Sequence, residues 1–184
     1  MEANIILKDI NKIFGIGLSR TGTLSLTNAL KRLGYKTIHY PNLKHFYYLV
    51  EIYDAITDTP VCINYVALDE MYPNSKFILT TRDLTEWLSS AKWFFSRTKQ
   101  PKLSNQQIFI RETLYGNEYF DRRSYKKGFL DYHDKVLKYF KDRPEDILIM
   151  NVFKRDGYNK LCPFLGKETL REKFPHSHNR RKKK

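Results

Sequence analysis

The stretch KIFGIGLSRTGTLSL, residues 12–26, changes character twice. Its first six residues, 12–17, are mostly apolar or glycine and read as a buried strand. Next come small and hydroxyl-bearing residues around Gly22. Beyond them Leu26, Ala29, Leu30 and Leu33 recur at i, i+3, i+4 and i+7, the stripe of an amphipathic helix, with Gly34 placed to stop it. A turn between a strand and a helix suits an anion: backbone N–H groups converge there, and the helix N-terminus adds a partial positive charge. Gly17 and Gly22 let the backbone come close. Thr21, Thr23 and Ser25 add hydroxyl donors, and Arg20 adds a permanent cation with a planar fork of N–H groups. A Walker A loop requires Gly-Lys-Ser/Thr. Here Thr23 and Leu24 follow Gly22, and the cation stands two residues before it.

Working outward, further strands are predicted at 36–40 (KTIHY), 55–59, 76–81 (KFILTT) and 147–150 (ILIM). Helices are predicted at 46–53, 65–72, 84–95, 104–115 and 125–140. This alternation predicts an α/β fold: a P-loop-type three-layer sandwich with a mainly parallel central sheet flanked by helices. At 184 residues, one domain over 1–184 is expected, with 180–184 (RRKKK) a solvated basic tail. Apolar residues at 41% and charged residues at 29% give a globular balance. A net charge of +13 favours anionic partners. Cys62 and Cys162 have no partner at metal-ligating or redox spacing, which fits a reduced, cytoplasmic protein. No apolar run approaches the roughly 20 residues of a membrane span, and no secretory leader is visible.

The segment LSRTGTLSL, residues 18–26, resembles the 5′-phosphosulfate loop of the sulfotransferase superfamily. It is closest to the branch with Arg-Thr-Gly-Thr, where cytosolic relatives carry Lys-Ser-Gly-Thr. The resemblance implies a donor, 3′-phosphoadenosine-5′-phosphosulfate, held at Ser19, Arg20, Thr21, Gly22, Thr23, Leu24 and Ser25, with adenosine 3′,5′-bisphosphate as product and no metal. It also implies a second anion site for the 3′-phosphate. KFILTTRD, residues 76–83, followed by Ser89 and Ser90, resembles the family's strand-Arg-Ser motif, and Arg82 and Ser90 have its spacing. The segments 53–60 (YDAITDTP), 161–166 (LCPFLG) and 174–180 are similar to other parts of the family. The Arg-Lys-Gly loop of cytosolic relatives is absent, and Arg180 or Arg181 stands as its replacement.

By analogy with phosphoryl transfer, sulfuryl transfer is run by positioning and charge stabilisation. Arg20 is the residue expected to meet charge growing on the leaving phosphate. Asp58 is the first candidate for the base that takes the acceptor's proton, since relatives place a His or carboxylate on that strand. An ordinary Asp, with a pKa of about 3.9, is a poor base unless buried. His39 and His133 are the alternatives. Trp87 and Trp93 are either core residues or platforms for an adenine. Residues 115–125 are either a lid or an ordinary surface loop. Two other readings stand beside this one. A P-loop kinase or NTPase would need a Gly-Lys-Ser/Thr triplet and an acid for Mg²⁺, for which Asp83 is the stand-in. A non-catalytic nucleotide- or anion-binding protein would rest on the basic tail and the aromatic residues. Nucleic acid is not the expected partner. Acceptor and oligomeric state leave no signal in the sequence.

Overall fold

Phe14, Ile56 and Phe77 belong to one buried cluster, and Ile13, Ala55 and Ile78 to another. Successive strand residues point to opposite faces, so strands apolar on both must be covered on both. The computed structural model, which describes residues 12–96 and 103–177, has this arrangement. Five strands, β1 (Ile13–Gly15), β2 (Thr37–His39), β3 (Ala55–Thr57), β4 (Lys76–Thr80) and β5 (Ile147–Met150), pair in the order β2-β3-β1-β4-β5. Every pairing is parallel, with Ile13 beside Ala55 and Lys76, and Phe77 beside Ile147.

Helices fill the two outer layers. On one face lie α1 (Thr23–Arg32) and α7 (Tyr158–Phe164), packed through Leu26, Leu30, Tyr158 and Leu161. On the other lie α2 (Phe46–Ile52), α3 (Tyr65–Met71), α4 (Leu84–Phe95), α5 (Asn105–Tyr115) and α6 (Arg122–Tyr139). This second layer is the aromatic one. Trp87, Phe95, Tyr115, Tyr125 and Phe129 form a continuous set of ring contacts, with Trp87 and Phe129 centred 4.6 Å apart. Each fully buried large side chain contributes about 1.5–3 kcal/mol, so this layer holds α4 to α6 rigidly against the sheet.

Helix starts follow local chemistry. The Asp83 carboxylate accepts from the amides of Thr85 and Glu86 at the start of α4. Ser104 and Gln107 form a capping box on α5. Asp121 accepts from the Ser124 amide, so α6 starts at Arg122, three residues before the predicted 125. The expected strand at 55–59 stops at Thr57, because Asp58 adopts a left-handed backbone (φ 72°) and leaves the sheet. α7 was not expected. It is short and carries Pro163 near its end, which reads as a breaker in sequence.

From β1 the chain runs out to β2, returns through β3 and crosses over to β4. The loop after β1 therefore opens at the switch point between β3 and β4, where a crevice forms at the carboxyl ends of the strands.

Candidate functional site

Three strand ends converge at that crevice: the loop 18–25 after β1, Asp58 and Thr59 after β3, and Arg82 after β4. Together with α4, α5 and the segment at His176 and Ser177, they line a cavity of about 900 Å³. The loop fits closely against β4. A methyl group at Gly17 would stand 1.9 Å from Thr80 Oγ1 and 2.8 Å from the Thr80 carbonyl oxygen. Thr21 closes the turn: its hydroxyl donates to the Leu18 carbonyl at 2.6 Å and shares a hydrogen bond with Thr80 Oγ1 at 2.7 Å. Its hydroxyl is thus committed inside the protein, unlike the ligand donor that the sequence suggests. Ser25 Oγ likewise accepts from the Ser177 amide. Gly22 has φ 106° at the head of α1, the left-handed region that favours glycine, and a side chain there would meet Val152. The amides of Gly22, Thr23, Leu24 and Ser25 have no acceptor among the described residues.

Arg20 also has a left-handed backbone, at φ 76°. Its Nε donates to Ser90 Oγ at 3.1 Å, and its guanidinium lies 5.0 Å from the ring centre of Phe94 and 5.6 Å from that of Trp93. One hydrogen bond thus joins the two segments that the sequence reading treated apart. Arg82 also lines the cavity, with its Nε donating to Glu86 Oε2 at 3.3 Å and its guanidinium 4.0 Å from the Phe153 ring. Asp83 is occupied as the cap of α4.

Asp58 is 7% exposed and is held on both carboxylate oxygens. Oδ1 accepts from Ser19 Oγ and from the Thr59 amide, both at 2.8 Å; Oδ2 accepts from Thr23 Oγ1 at 3.2 Å and lies 3.4 Å from His39 Nε2. Burial raises the Asp58 pKa above the ordinary carboxylate value, and the nearby His39 and the three donors only partly offset it. An aspartate so placed is a better proton acceptor than one in water.

His133 stands apart. It sits in α6 with Nδ1 2.7 Å from the Phe129 carbonyl and Nε2 3.2 Å from Thr81 Oγ1, it does not line the cavity, and burial lowers its pKa. Trp87 is core: it is fully buried, and its indole N–H donates to the Ser19 carbonyl at 3.0 Å, bracing the loop from below. Trp93 is 38% exposed and lines the cavity. Within 115–125, Tyr115 is the last residue of α5 and faces the cavity, while 116–121 is the turn joining α5 to α6. Arg180 and Arg181 lie outside the described residues.

The sequence reading missed three contributors. Arg111 and Tyr115, both buried, line the cavity from α5. The His39–Asp58 pairing joins adjacent parallel strand ends, a relation that appears only once β2 and β3 are known to be neighbours. Among the described residues no group of His, Cys, Asp or Glu side chains is placed to hold a metal ion, and no helix is long and apolar enough to cross a membrane.

Among characterised proteins, the chain is 28% identical over 213 residues to Ava biosynthesis cluster protein M of Aspergillus versicolor, covering 90% of this chain and 80% of that protein. Its fold is similar to a sulfotransferase from Alicyclobacillus acidocaldarius, with a TM-score of 0.59 at 17% identity over 86% of this chain and 82% of that one. It is also similar to mouse sulfotransferase SULT7A1 complexed with PAP, with a TM-score of 0.56 at 16% identity over 88% of this chain and 61% of that one. A family model described as a sulfotransferase domain matches residues 12–46 and 40–183, so the strand-loop-helix unit and nearly all that follows it fall within one pattern, and the chain belongs to the sulfotransferase family.

Proposed function

We propose that this chain transfers a sulfuryl group from 3′-phosphoadenosine-5′-phosphosulfate to a hydroxyl group of a small acceptor. One observation carries this reading: four consecutive amides, Gly22 to Ser25, lack acceptors among the described residues at the head of α1, beside Arg20. Such a cradle fits a phosphate or phosphosulfate oxygen by dipole and by hydrogen bond. The complex of the mouse sulfotransferase with PAP supports the same class of ligand. Buried free thiols at Cys62 and Cys162 suit the reducing cytoplasm.

In this reading the amides of 22–25 and Arg20 hold the 5′ end, while Arg82 and Ser90 hold the 3′-phosphate. The bound donor supplies a sulfur whose bond to the phosphate oxygen breaks as a bond to the acceptor oxygen forms. Arg20 steadies the negative charge left on the phosphate. Asp58 takes the acceptor's hydroxyl proton, fixed in orientation by Ser19, Thr23 and the Thr59 amide, and His39 stabilises its ionised form.

Thermal unfolding with adenosine 3′,5′-bisphosphate, without divalent metal, tests the reading against Mg-ATP. Stabilisation by the bisphosphate alone is expected; stabilisation only by Mg-ATP would favour a nucleoside-triphosphate enzyme. Asp58→Asn should keep bisphosphate binding and lower sulfuryl transfer by about 10²–10⁴-fold, the usual worth of a positioned base.

A further inference from the structure

Among the described residues three arginines line the cavity, and two are accounted for. Arg82 pairs with Glu86, and Arg20 belongs to the donor half. Arg111 does not fit that half. It projects from α5, is 5% exposed, and donates from Nη1 to the Glu118 carbonyl at 2.9 Å, with its guanidinium 4.8 Å from the Phe95 ring centre. Among the described residues no carboxylate pairs with it, and residues 97–102, which link α4 to α5, read RTKQPK and contain no acid. A guanidinium this far from water without a counter-charge is costly unless a ligand supplies one.

An independent feature lies in the same wall. Tyr115 is 4% exposed and lines the cavity, yet its hydroxyl has no hydrogen-bond partner among the described residues. Buried hydroxyls are normally satisfied, so this donor also awaits an acceptor. Burial raises the phenol pKa of Tyr40 and Tyr115, and on both rings Asp58 adds to the rise while Arg111 opposes it. Asp58 and Arg111 line the same cavity as these two rings. Tyr40, Phe95 and Ile110 supply apolar walls between the polar groups.

Building on the sulfuryl-transfer reading, we propose that Arg111 determines acceptor specificity. It receives a carboxylate on the acceptor, with the Tyr115 hydroxyl as a second donor, while the acceptor's own hydroxyl faces Asp58. The acceptor class is then a ring-bearing hydroxy acid, not a neutral alcohol or sterol. A guanidinium binds a carboxylate through two parallel N–H···O bonds, and it has no such mode for a neutral amide or ester.

The test uses the full chain saturated with adenosine 3′,5′-bisphosphate and two matched probes, 4-hydroxyphenylacetate and 4-hydroxyphenylacetamide, with binding followed by calorimetry. The acid is expected to bind roughly tenfold to hundredfold tighter than the amide, the range for a hydrogen-bonded charge pair. Arg111→Gln should erase that difference, Arg111→Lys should retain part of it, and all three proteins should bind the bisphosphate equally, which also verifies their folding. If Arg111→Gln does not fold, the lysine variant and the wild-type preference decide the matter. Equal binding of the two probes, preference for the amide, no binding of either, or a preference that survives in Arg111→Gln would overturn the proposal. Failure of the wild-type chain to bind the bisphosphate would instead overturn the donor reading on which it rests.

Discussion

Around residues 18–25 the hydroxyl side chains are engaged inside the protein, and the main chain, with the Arg20 guanidinium on the cavity wall, is what faces a ligand. Thr21 is locked to Leu18 and Thr80, Ser19 and Thr23 to Asp58, and Ser25 to the Ser177 amide, while the amides of 22–25 stay open. At Arg82 and Ser90 the position is reversed: the side chains themselves are the groups proposed to meet the ligand, and each is held by a neighbour, Glu86 and Arg20 respectively. The first region is shaped before a ligand arrives, so binding there demands little reordering. The second must exchange one set of partners for another. A preorganised cradle should carry most of the affinity, and an exchangeable pair should tune it.

The largest effect is expected where the cradle's shape is broken. Gly17→Ala puts a methyl group against the Thr80 backbone, which cannot rotate away as a flexible side chain would. Overpacking of this kind costs roughly 1–3 kcal/mol. Urea unfolding should show that loss, and bisphosphate binding should fall below detection because the loop is displaced. A variant with wild-type stability and affinity would mean that the loop is not held as described.

Next comes the pair Arg20→Ala and Arg82→Ala. Removing Arg20 should weaken bisphosphate binding by about tenfold to hundredfold, the worth of charge-assisted hydrogen bonds. Removing Arg82 should cost less, about threefold to tenfold, since its gain on binding is offset by the loss of Glu86. Calorimetry on the two variants gives the order directly. A larger loss at Arg82 would reverse the assignment of the two regions.

The pH response sharpens the same contrast at Asp58. With its folded pKa raised, the neutral carboxyl is favoured by the fold. Its contribution to stability is fully present below the unfolded value, about 3.9, and fades as pH rises through the folded value. In the proposed reaction turnover requires the ionised form, so activity should rise through the window in which that stability fades. In a profile of kcat/KM, the acidic limb should lie above the ordinary carboxylate range. In His39→Gln it should move higher still, because protonated His39 favours the charged carboxylate. A limb that stays in place in that variant would separate His39 from the base.

The fold was legible because its signals are local. Strands apolar on both faces, a glycine-bearing turn and the stripe from Leu26 to Leu33 each depend on residues a few positions apart. The loop around Arg20 and Gly22 was legible for the same reason. What stayed hidden depends on contacts between distant elements. Arg111 sits on α5 in a setting of mixed polarity, and an arginine there reads as part of a solvated face until Phe95 of α4 and the Glu118 carbonyl are brought against it. The commitment of Thr21 to Thr80 needs the parallel pairing of β1 with β4, which no spacing in the sequence reveals.

The smallest effect, and the one opposite in sign, is expected at Glu86. Its carboxylate is 58% exposed and holds Arg82 one helical turn away. Pairs of this kind are worth about 0.3–0.5 kcal/mol. Glu86 also presents a negative charge where the 3′-phosphate is expected. Glu86→Gln should therefore release Arg82 and remove a repulsion together, tightening bisphosphate binding about twofold to threefold. The gain should shrink at high salt, because an exposed carboxylate is screened over a Debye length of about 10 Å at 0.1 M. Titrations at low and high ionic strength separate this outcome from a packing effect, which salt would leave unchanged. Weaker binding in Glu86→Gln would mean that the carboxylate aims Arg82 at its ligand instead of competing for it, and the second region would then be preorganised like the first.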